Sequence, residues 1–283
     1  MPYANPDSLV STERLAQHLN APDLRVVDAT WYLPSQGKSG RAEYDARHIP
    51  GAVFFDIDEI ADTDSDLPHM LPSPEKFAAR VRKLGLGDGN RIVVYDQHGL
   101  MSAARVWWMF RVFGHRDIAV LDGGLPKWMA EGRPTEDRPP QPRERHFTAR
   151  YNHLMVRDRE QIKGNLSSRR EQVVDARAAG RFTGKEPEVW PGRRSGHIPG
   201  SFNVPFTDLL DAKTKTLLPG EAIAARFRKA GVDLARPVVT SCGSGVTAAV
   251  LAFGLHLIGQ NDVALYDGSW AEWGRPGDTP VET

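Results

Sequence analysis

This chain of 283 residues has little of what marks several common protein classes. With a single cysteine, Cys242, it cannot form an internal disulfide, and it has no cysteine pair for zinc or dithiol redox exchange. Its 36 Lys and Arg balance its 36 Asp and Glu, so no overall charge calls for nucleic acid or an anionic membrane. The longest apolar tract, 246–257, falls short of the ~18 residues of a membrane span. The first ten residues do not resemble a signal peptide, and we expect a cytoplasmic protein without nucleic-acid or membrane partners.

Four segments recur in the same order in the two halves of the chain. Cys242 lies 145 residues after Gln97, and Asp267 lies 145 residues after Asp122, so two of the pairs share one offset. A repeat of this kind indicates a duplicated domain. The pairs are RVVDAT (25–30) with QVVDAR (172–177), RHIPGAVFFDID (47–58) with GHIPGSFNVPF (196–206), RIVVYDQHGLMSAARVWW (91–108) with RPVVTSCGSGVTAAVLAF (236–253), and LDGGLPKW (121–128) with YDGSWAEW (266–273).

The stretch between the copies is rich in proline and charge, which favours an extended, solvated chain. We therefore predict a first domain at 1–130, a linker at 131–149 and a second domain at 150–283. Within each copy, short β-branched runs alternate with helical segments. This alternation predicts an α/β fold in each domain: a mostly parallel sheet with helices on both faces. The predicted strands are 25–28, 91–95, 118–121, 172–175, 237–241 and 263–266.

Cys242 follows the predicted strand 237–241 and precedes a predicted helix, the place where functional loops lie in open α/β sheets. Gly243 and Gly245 allow the loop to curl around the sulfur. Such a curl turns N–H groups inward and forms an anion site at a helix N-terminus. We expect the cysteine to be a thiolate at neutral pH, with the hydroxyl of Thr247 as a further donor. The same arrangement suits a persulfide anion, Cys–S–S⁻. A lone cysteine is more often an inert buried residue, but Gly-x-Gly at this switch favours a functional one.

The first copy serves as an internal control. Where the second copy has Cys242, the first has Gln97, followed by His98 and Gly99. Glutamine is not a nucleophile, so we predict that the first domain is catalytically silent and serves structure or shapes the wall of the active site.

The tandem halves resemble the two-domain rhodanese superfamily over nearly the whole chain. The loop CGSGVTA (242–248) and the segments 69–77 and 95–115 are similar to those of its 3-mercaptopyruvate-using members. This resemblance implies a sulfurtransferase in which the Cys242 thiolate takes the thiol sulfur of 3-mercaptopyruvate and pyruvate leaves. The persulfide then passes to a thiol such as thioredoxin, or to cyanide. No metal or organic cofactor is implied, because the cysteine itself carries the sulfur.

The resemblance also implies a carboxylate site for the donor. Arg181 matches the family's arginine, whose planar fork can bind a carboxylate through two parallel hydrogen bonds. A second arginine of the family is replaced here by Trp190. Either Arg193 or Arg194 reaches the donor instead, or the carboxylate is bound more weakly.

Within the loop, Cys242 and Ser244 are the candidate catalytic residues. His48 and His197 share the HIPG position of both copies, which favours a structural clamp of a loop. The alternative is that His48 faces the loop of the other domain and relays a proton with Ser244. The candidate substrate-binding residues of the loop are Gly243, Gly245, Val246 and Thr247.

Three other functions stay open. A tyrosine-phosphatase-type enzyme needs Cys-x5-Arg, but the sixth residue after Cys242 is Ala248. A non-catalytic binding module would not need an intact Cys242. A thiosulfate sulfurtransferase would benefit from basic side chains after the cysteine, because its donor is a dianion, and this chain has Gly243 and Ser244 there.

Overall fold

The computed structural model describes residues 2–283 and contains two five-stranded sheets in which every neighbouring pair of strands is parallel. The first sheet has the strand order β1-β5-β4-β2-β3, and the second repeats it as β6-β10-β9-β7-β8. The strands are β1 (Leu9–Val10), β2 (Leu24–Asp28), β3 (Val53–Phe54), β4 (Arg91–Tyr95), β5 (Ile118–Leu121), β6 (Val156–Arg157), β7 (Gln172–Asp175), β8 (Phe202–Asn203), β9 (Val238–Ser241) and β10 (Val263–Tyr266).

Helices connect the strands and cover both faces of each sheet. Short 3₁₀ turns lie at Pro6–Ser8, Pro34–Gln36, His153–Met155 and Phe206–Leu209. The α-helices are α1 (Thr12–His18), α2 (Gly40–Ala46), α3 (Pro74–Lys83), α4 (Ser102–Val112), α5 (Gly124–Ala130), α6 (Arg159–Ser168), α7 (Ala179–Phe182), α8 (Gly220–Lys229), α9 (Ala248–Leu257) and α10 (Ser269–Trp273).

The predicted α/β fold with a mostly parallel sheet in each half is confirmed, and so are the six predicted strands. Consecutive residues of β2 enter different clusters: Val26 packs with the cluster on one face and Val27 with the cluster on the other. A strand buried on both faces reads as a continuous apolar run, which is why these strands were recognisable. The edge strands β1, β3, β6 and β8 have two residues each, too few for a periodic signal. No helix in residues 2–283 is long and apolar enough to cross a membrane.

The segment that follows α5 runs along the first domain. Glu136 forms an antiparallel bridge with His48, and the carbonyl of Phe147 accepts hydrogen bonds from the Arg82 guanidinium at 3.2 and 2.8 Å. The Phe147 ring is buried in the main core. This part of the chain therefore runs along the first domain and inserts Phe147 into its core.

The two domains meet along α4 and α9. Helix α9 is apolar except for His256 and lies in a core cluster that contains residues of both domains. Trp107 of α4 packs edge-on against Phe253 of α9, with ring centroids 4.8 Å apart. Because each of these helices begins just after a loop at the end of a strand, the same interface positions the two loops.

Each domain also sends a loop across to the other. The backbone N–H of Leu71 donates to the Asp267 carboxylate at 2.7 Å, and the N–H of Leu217 donates to Asp122 at 2.9 Å. The two aspartates occupy equivalent positions of the repeat. The duplicated domains are therefore joined by matching contacts, and residues of the first domain are brought to the Cys242 loop.

Candidate active site

The Cys242 loop lies between the end of β9 and the start of α9. Cys242 is 2% exposed, and its N–H donates to the Ser269 hydroxyl at 3.2 Å. Within residues 2–283, the N–H groups of residues 243–247 have no hydrogen-bond acceptor. Gly245 has a φ of 80°, and an added Cβ there would lie 2.9 Å from an Arg105 nitrogen, so only glycine fits. The loop therefore leaves unpaired amides beside a buried sulfur, as an anion site requires.

The other predicted loop residues contribute in different ways. The Val246 side chain is buried in the core, so only its backbone is available to the site. Thr247 stands at the N-cap of α9 without capping it, and its hydroxyl has no partner among residues 2–283. Both observations fit a site built from backbone N–H groups and one free hydroxyl.

Ser244 is joined to a histidine of the first domain. The Ser244 hydroxyl lies 2.9 Å from Nδ1 of His69, and Nε2 of His69 lies 2.9 Å from the Asp58 carboxylate. An ionised carboxylate only accepts hydrogen bonds, so His69 donates from Nε2 and its Nδ1 accepts the serine proton. Burial opposes the ionised form of Asp58, but the contact with His69 and the Trp31 N–H bond lower its pKa below the usual value. The chain Ser244–His69–Asp58 is thus oriented to take a proton from the loop.

Backbone geometry and packing fix His69. Its φ of 61° is in the left-handed region, its carbonyl accepts a hydrogen bond from Arg105, and it is 6% exposed. The Trp31 ring packs edge-on at 4.7 Å. A non-glycine residue with positive φ persists only where its surroundings hold it, and here they hold the imidazole against the Cys242 loop.

Arg105 of α4 connects the two domains at this site. Its guanidinium is 1% exposed and lies 2.7 Å from the Asp267 carboxylate, which is itself buried. It also contacts the carbonyls of Gly245 and His69. One arginine therefore links the loop, the aspartate after β10 and the histidine.

Arg181 lies over the Cys242 loop. A Cβ added to Gly243 would be 3.2 Å from Nη2 of Arg181 and 3.4 Å from Nε1 of Trp190. Arg181 is held by Glu188 at 2.5 Å, and the same carboxylate pairs with Arg177. Since Nε and Nη2 of Arg181 contact Glu188, Nη1 is available to a further carboxylate.

The sequence left open whether Arg193 or Arg194 supplies a second cation. Arg193 donates to the carbonyls of Ala271 and Pro191, and Arg194 donates to the carbonyl of Trp273. Both guanidinium groups are therefore engaged by backbone carbonyls. Trp190 takes the place beside the loop instead, and Arg181 is the cation next to it.

A cavity of about 440 Å³ opens beside His69 and Trp190. It is formed mainly by the first domain and carries both basic and acidic groups. The side chains that bear on the site are Tyr32, Lys38, Arg41, Asp56 and Asp58. The cavity therefore borders on two residues that also contact the Cys242 loop, His69 and Trp190.

The alternative role for His48, a proton relay with Ser244, is wrong in this structure. His48 is fully buried, its ring stacks on Tyr44 at 4.2 Å, and its backbone pairs with Glu136. His197 repeats the arrangement in the second domain, where its backbone pairs with Glu282. The HIPG motif thus clamps the chain in both copies, as the structural interpretation expected, and His69 is the histidine beside Ser244.

The loop of the first domain is covered rather than open. A Cβ added to Gly99 would lie 2.4 Å from Cβ of Lys215, which reaches over from the second domain. Lys215 has a φ of 59° and is the counterpart of His69. The Gln97 loop therefore lacks a nucleophile and is occupied by a lysine where the other loop faces a histidine.

His69, Asp58 and Arg105 were not singled out from the sequence. The sequence does carry a signal for His69 and Arg105, because the two copies of the repeat have different residues at these positions. His69 stands opposite Lys215, and Arg105 stands 145 residues before Val250. Where two otherwise matching copies carry residues of different chemistry, those residues are candidates for a function that only one domain has.

Comparisons with known proteins agree with this geometry. The model of the rhodanese-like domain matches residues 11–131 and 158–275. The chain is 48% identical to human 3-mercaptopyruvate sulfurtransferase over 97% of this chain and 95% of that protein. It is 46% identical to rat thiosulfate sulfurtransferase over 98% and 94%. The crystal structure of SseA from Escherichia coli, a 3-mercaptopyruvate sulfotransferase, covers 94% of this chain and 99% of its own with a TM-score of 0.86 at 39% identity. The chain therefore belongs to the rhodanese-like family, with two such domains in tandem.

Proposed function

We propose that this protein is a sulfurtransferase that moves the sulfur of 3-mercaptopyruvate through a persulfide on Cys242 to a thiol or cyanide, releasing pyruvate. The observation that carries the proposal is the Cys242 loop, in which the five N–H groups that follow the cysteine are unpaired and Ser244 contacts His69. The relatives named for both donors support the reaction class.

The first half-reaction balances without an outside oxidant. The Cys242 thiolate attacks the thiol sulfur of the donor, an S–S bond forms, and the bond from C3 to sulfur breaks. The electron pair of that bond goes to C3 and gives the enolate of pyruvate. The thiol proton passes through Ser244 and His69 and ends on C3, so pyruvate leaves and Cys–S–S⁻ remains. Unpaired loop amides stabilise that anion because they are oriented before the charge develops.

Arg181 is the proposed carboxylate partner of the donor. Glu188 holds Arg181 beside Gly243. The Nη1 group of Arg181 is not used by Glu188, so it can donate to the carboxylate of the donor. Trp190 supplies an apolar wall where a second cation would otherwise bind. This arrangement suits a donor with a single carboxylate better than a dianion, because Arg181 offers one free nitrogen and Glu188 already offsets part of its charge.

We infer that the first domain is catalytically silent and that the domains divide at 1–130 and 150–283, with a linker at 131–149. The covered Gln97 loop supports the first point, and the surface path of the chain after α5 supports the second. The sulfur acceptor is a thiol, of which thioredoxin is the candidate. The lone cysteine fits a reducing compartment, and we propose the cytoplasm.

The test compares sulfur transfer to cyanide from 3-mercaptopyruvate and from thiosulfate, with Cys242→Ser as the control. We expect 3-mercaptopyruvate to react at least about tenfold faster and the serine variant to be inactive. A thiosulfate preference would keep the family and overturn the donor. Activity in Cys242→Ser, or none with either donor, would overturn the proposed reaction and favour a binding module.

A further inference from the structure

A second cavity lies between the domains at the other end of the helix pair. Helix α9 begins at the Cys242 loop, and His256 near its last turn is about 12 Å further along the axis at 1.5 Å per residue. The cavity has a volume of about 170 Å³. Met155 and Ala252 contribute to its apolar wall. Its polar lining comes from Trp107, Arg111, Asn152, His256, Gln260 and Asn261.

Arg111 carries an uncompensated charge at this cavity. Its side chain has no hydrogen bond or ion pair with any of residues 2–283, and its buried Nε has no partner. Its guanidinium stacks 5.1 Å from the Trp107 ring. Burial and the neighbouring Arg116 lower the pKa of Arg111. No aspartate or glutamate is among the described residues that line the cavity, so nothing in this part of the chain balances the charge.

Arg111 does not serve as a cap for the helix ends nearby. The carbonyl of Val112 accepts from the N–H of Asn152, and the carbonyl of Leu257 accepts from the N–H of Ala4, both at 2.7 Å. The carbonyl of His256 accepts from the Asn5 side chain. Since the last carbonyls of α4 and α9 already have donors, the usual reason for an arginine at a helix C-terminus is absent.

The indole N–H of Trp107 is a second donor without an acceptor. Trp107 is 1% exposed, and its Nε1 has no hydrogen-bond partner within residues 2–283. A buried donor is rarely left unpaired. Burial and the charge of Arg111 lower the pKa of His256 to about 4, so it is neutral at pH 7 and adds no competing cation. The cavity is about ten times larger than the space that one water needs, so a small organic ligand fits.

We propose that this interdomain cavity binds a small carboxylate with a short apolar tail. The carboxylate accepts hydrogen bonds from Arg111 and from the Trp107 indole, because an arginine fork matches the two oxygens of a carboxylate. The tail packs on the apolar wall formed by Met155 and Ala252. Trp107 and Arg111 come from α4 and Ala252 from α9, so the ligand bridges the two domains. This site is separate from Arg181 and does not depend on the proposed reaction.

The test is a ¹⁹F NMR titration of trifluoroacetate, a small carboxylate with an apolar CF₃ group, with trifluoroethanol as the uncharged control. The variant Arg181→Ala serves as the background, since it removes the carboxylate site at the Cys242 loop. We expect trifluoroacetate to bind Arg181→Ala, and the additional change Arg111→Met to weaken that binding at least about tenfold. Trp107→Phe, which removes only the indole N–H and the fused ring, should weaken it as well. Trifluoroethanol should not compete.

Three outcomes would overturn the proposal: Arg181→Ala alone abolishes binding, Arg111→Met titrates like its background, or trifluoroethanol binds as well as trifluoroacetate. As a folding control, Arg111→Met is also made as a single variant, and its thermal unfolding and its sulfur-transfer activity are measured. If that variant fails to fold, Trp107→Phe decides, and an unchanged affinity in Trp107→Phe then rejects the site.

Discussion

Replacing His69 by glutamine is expected to lower kcat/KM for 3-mercaptopyruvate by about 10²- to 10⁴-fold, the usual contribution of a positioned acid or base. The loss corresponds to about 3 to 5 kcal/mol in the barrier. His69 lies 2.9 Å from both Ser244 and Asp58 and is almost fully buried, so little water can replace it. Glutamine still forms hydrogen bonds but does not take up a proton at neutral pH. The variant therefore removes the transfer step and keeps the packing.

The assay follows pyruvate release in single turnovers and then the transfer of sulfur from a preformed persulfide to cyanide. We expect His69→Gln to slow the first step and leave the second nearly unchanged, because only the donor brings a proton to relay. Ser244→Ala should have a similar effect, and the double variant should lose little more, since linked residues are not additive. His48→Gln is the matched control and should keep its activity. Full activity in a folded His69→Gln, or an equal loss in a folded His48→Gln, would refute the relay.

Three further predictions concern charged groups. Arg181→Ala should raise KM for 3-mercaptopyruvate about tenfold or more while the variant stays folded, because a hydrogen bond to the donor carboxylate is lost and Arg177 still pairs with Glu188; an unchanged KM removes Arg181 from the site. Arg105→Met should lower the free energy of unfolding by about 3 to 5 kcal/mol in urea titrations, because the buried Asp267 loses its partner; a loss below 1 kcal/mol contradicts this. Burial raises the pKa of Asp28 from 3.8 to about 6, so stability is lost as pH rises through that range. Asp28→Asn should therefore be more stable by up to about 3 kcal/mol at pH 7 and by little near pH 4 in urea unfolding; equal stability at pH 7 refutes it.

The features that could be predicted from the sequence are those determined by neighbouring residues along the chain. The β-branched runs that form the central strands and the glycines around Cys242 are read within a few residues, and the duplicated segments showed that the fold repeats. The two-residue edge strands carry no period of their own. They form because the neighbouring strands offer free edges, which is a tertiary effect.

The partners of Cys242 from the first domain were beyond local reasoning. His69 meets Ser244 across 175 residues of chain, and Arg105 meets Asp267 across 162. Only the packing of α4 against α9 and the crossing loop bring them together. His48 was considered because its motif recurs in both copies. The motif recurs because His48 and His197 each pair through the backbone with a glutamate, Glu136 or Glu282. Sequence spacing alone does not show which element a buried histidine faces.

The most direct test of the account is intact-protein mass spectrometry after adding 3-mercaptopyruvate without an acceptor, with pyruvate measured in the same sample. The account predicts the added mass of one sulfur atom per chain, located on the peptide that carries Cys242, with one pyruvate released per chain and neither change in Cys242→Ser. Pyruvate release by Cys242→Ser, or sulfur found on a peptide without Cys242, would contradict the proposed persulfide mechanism.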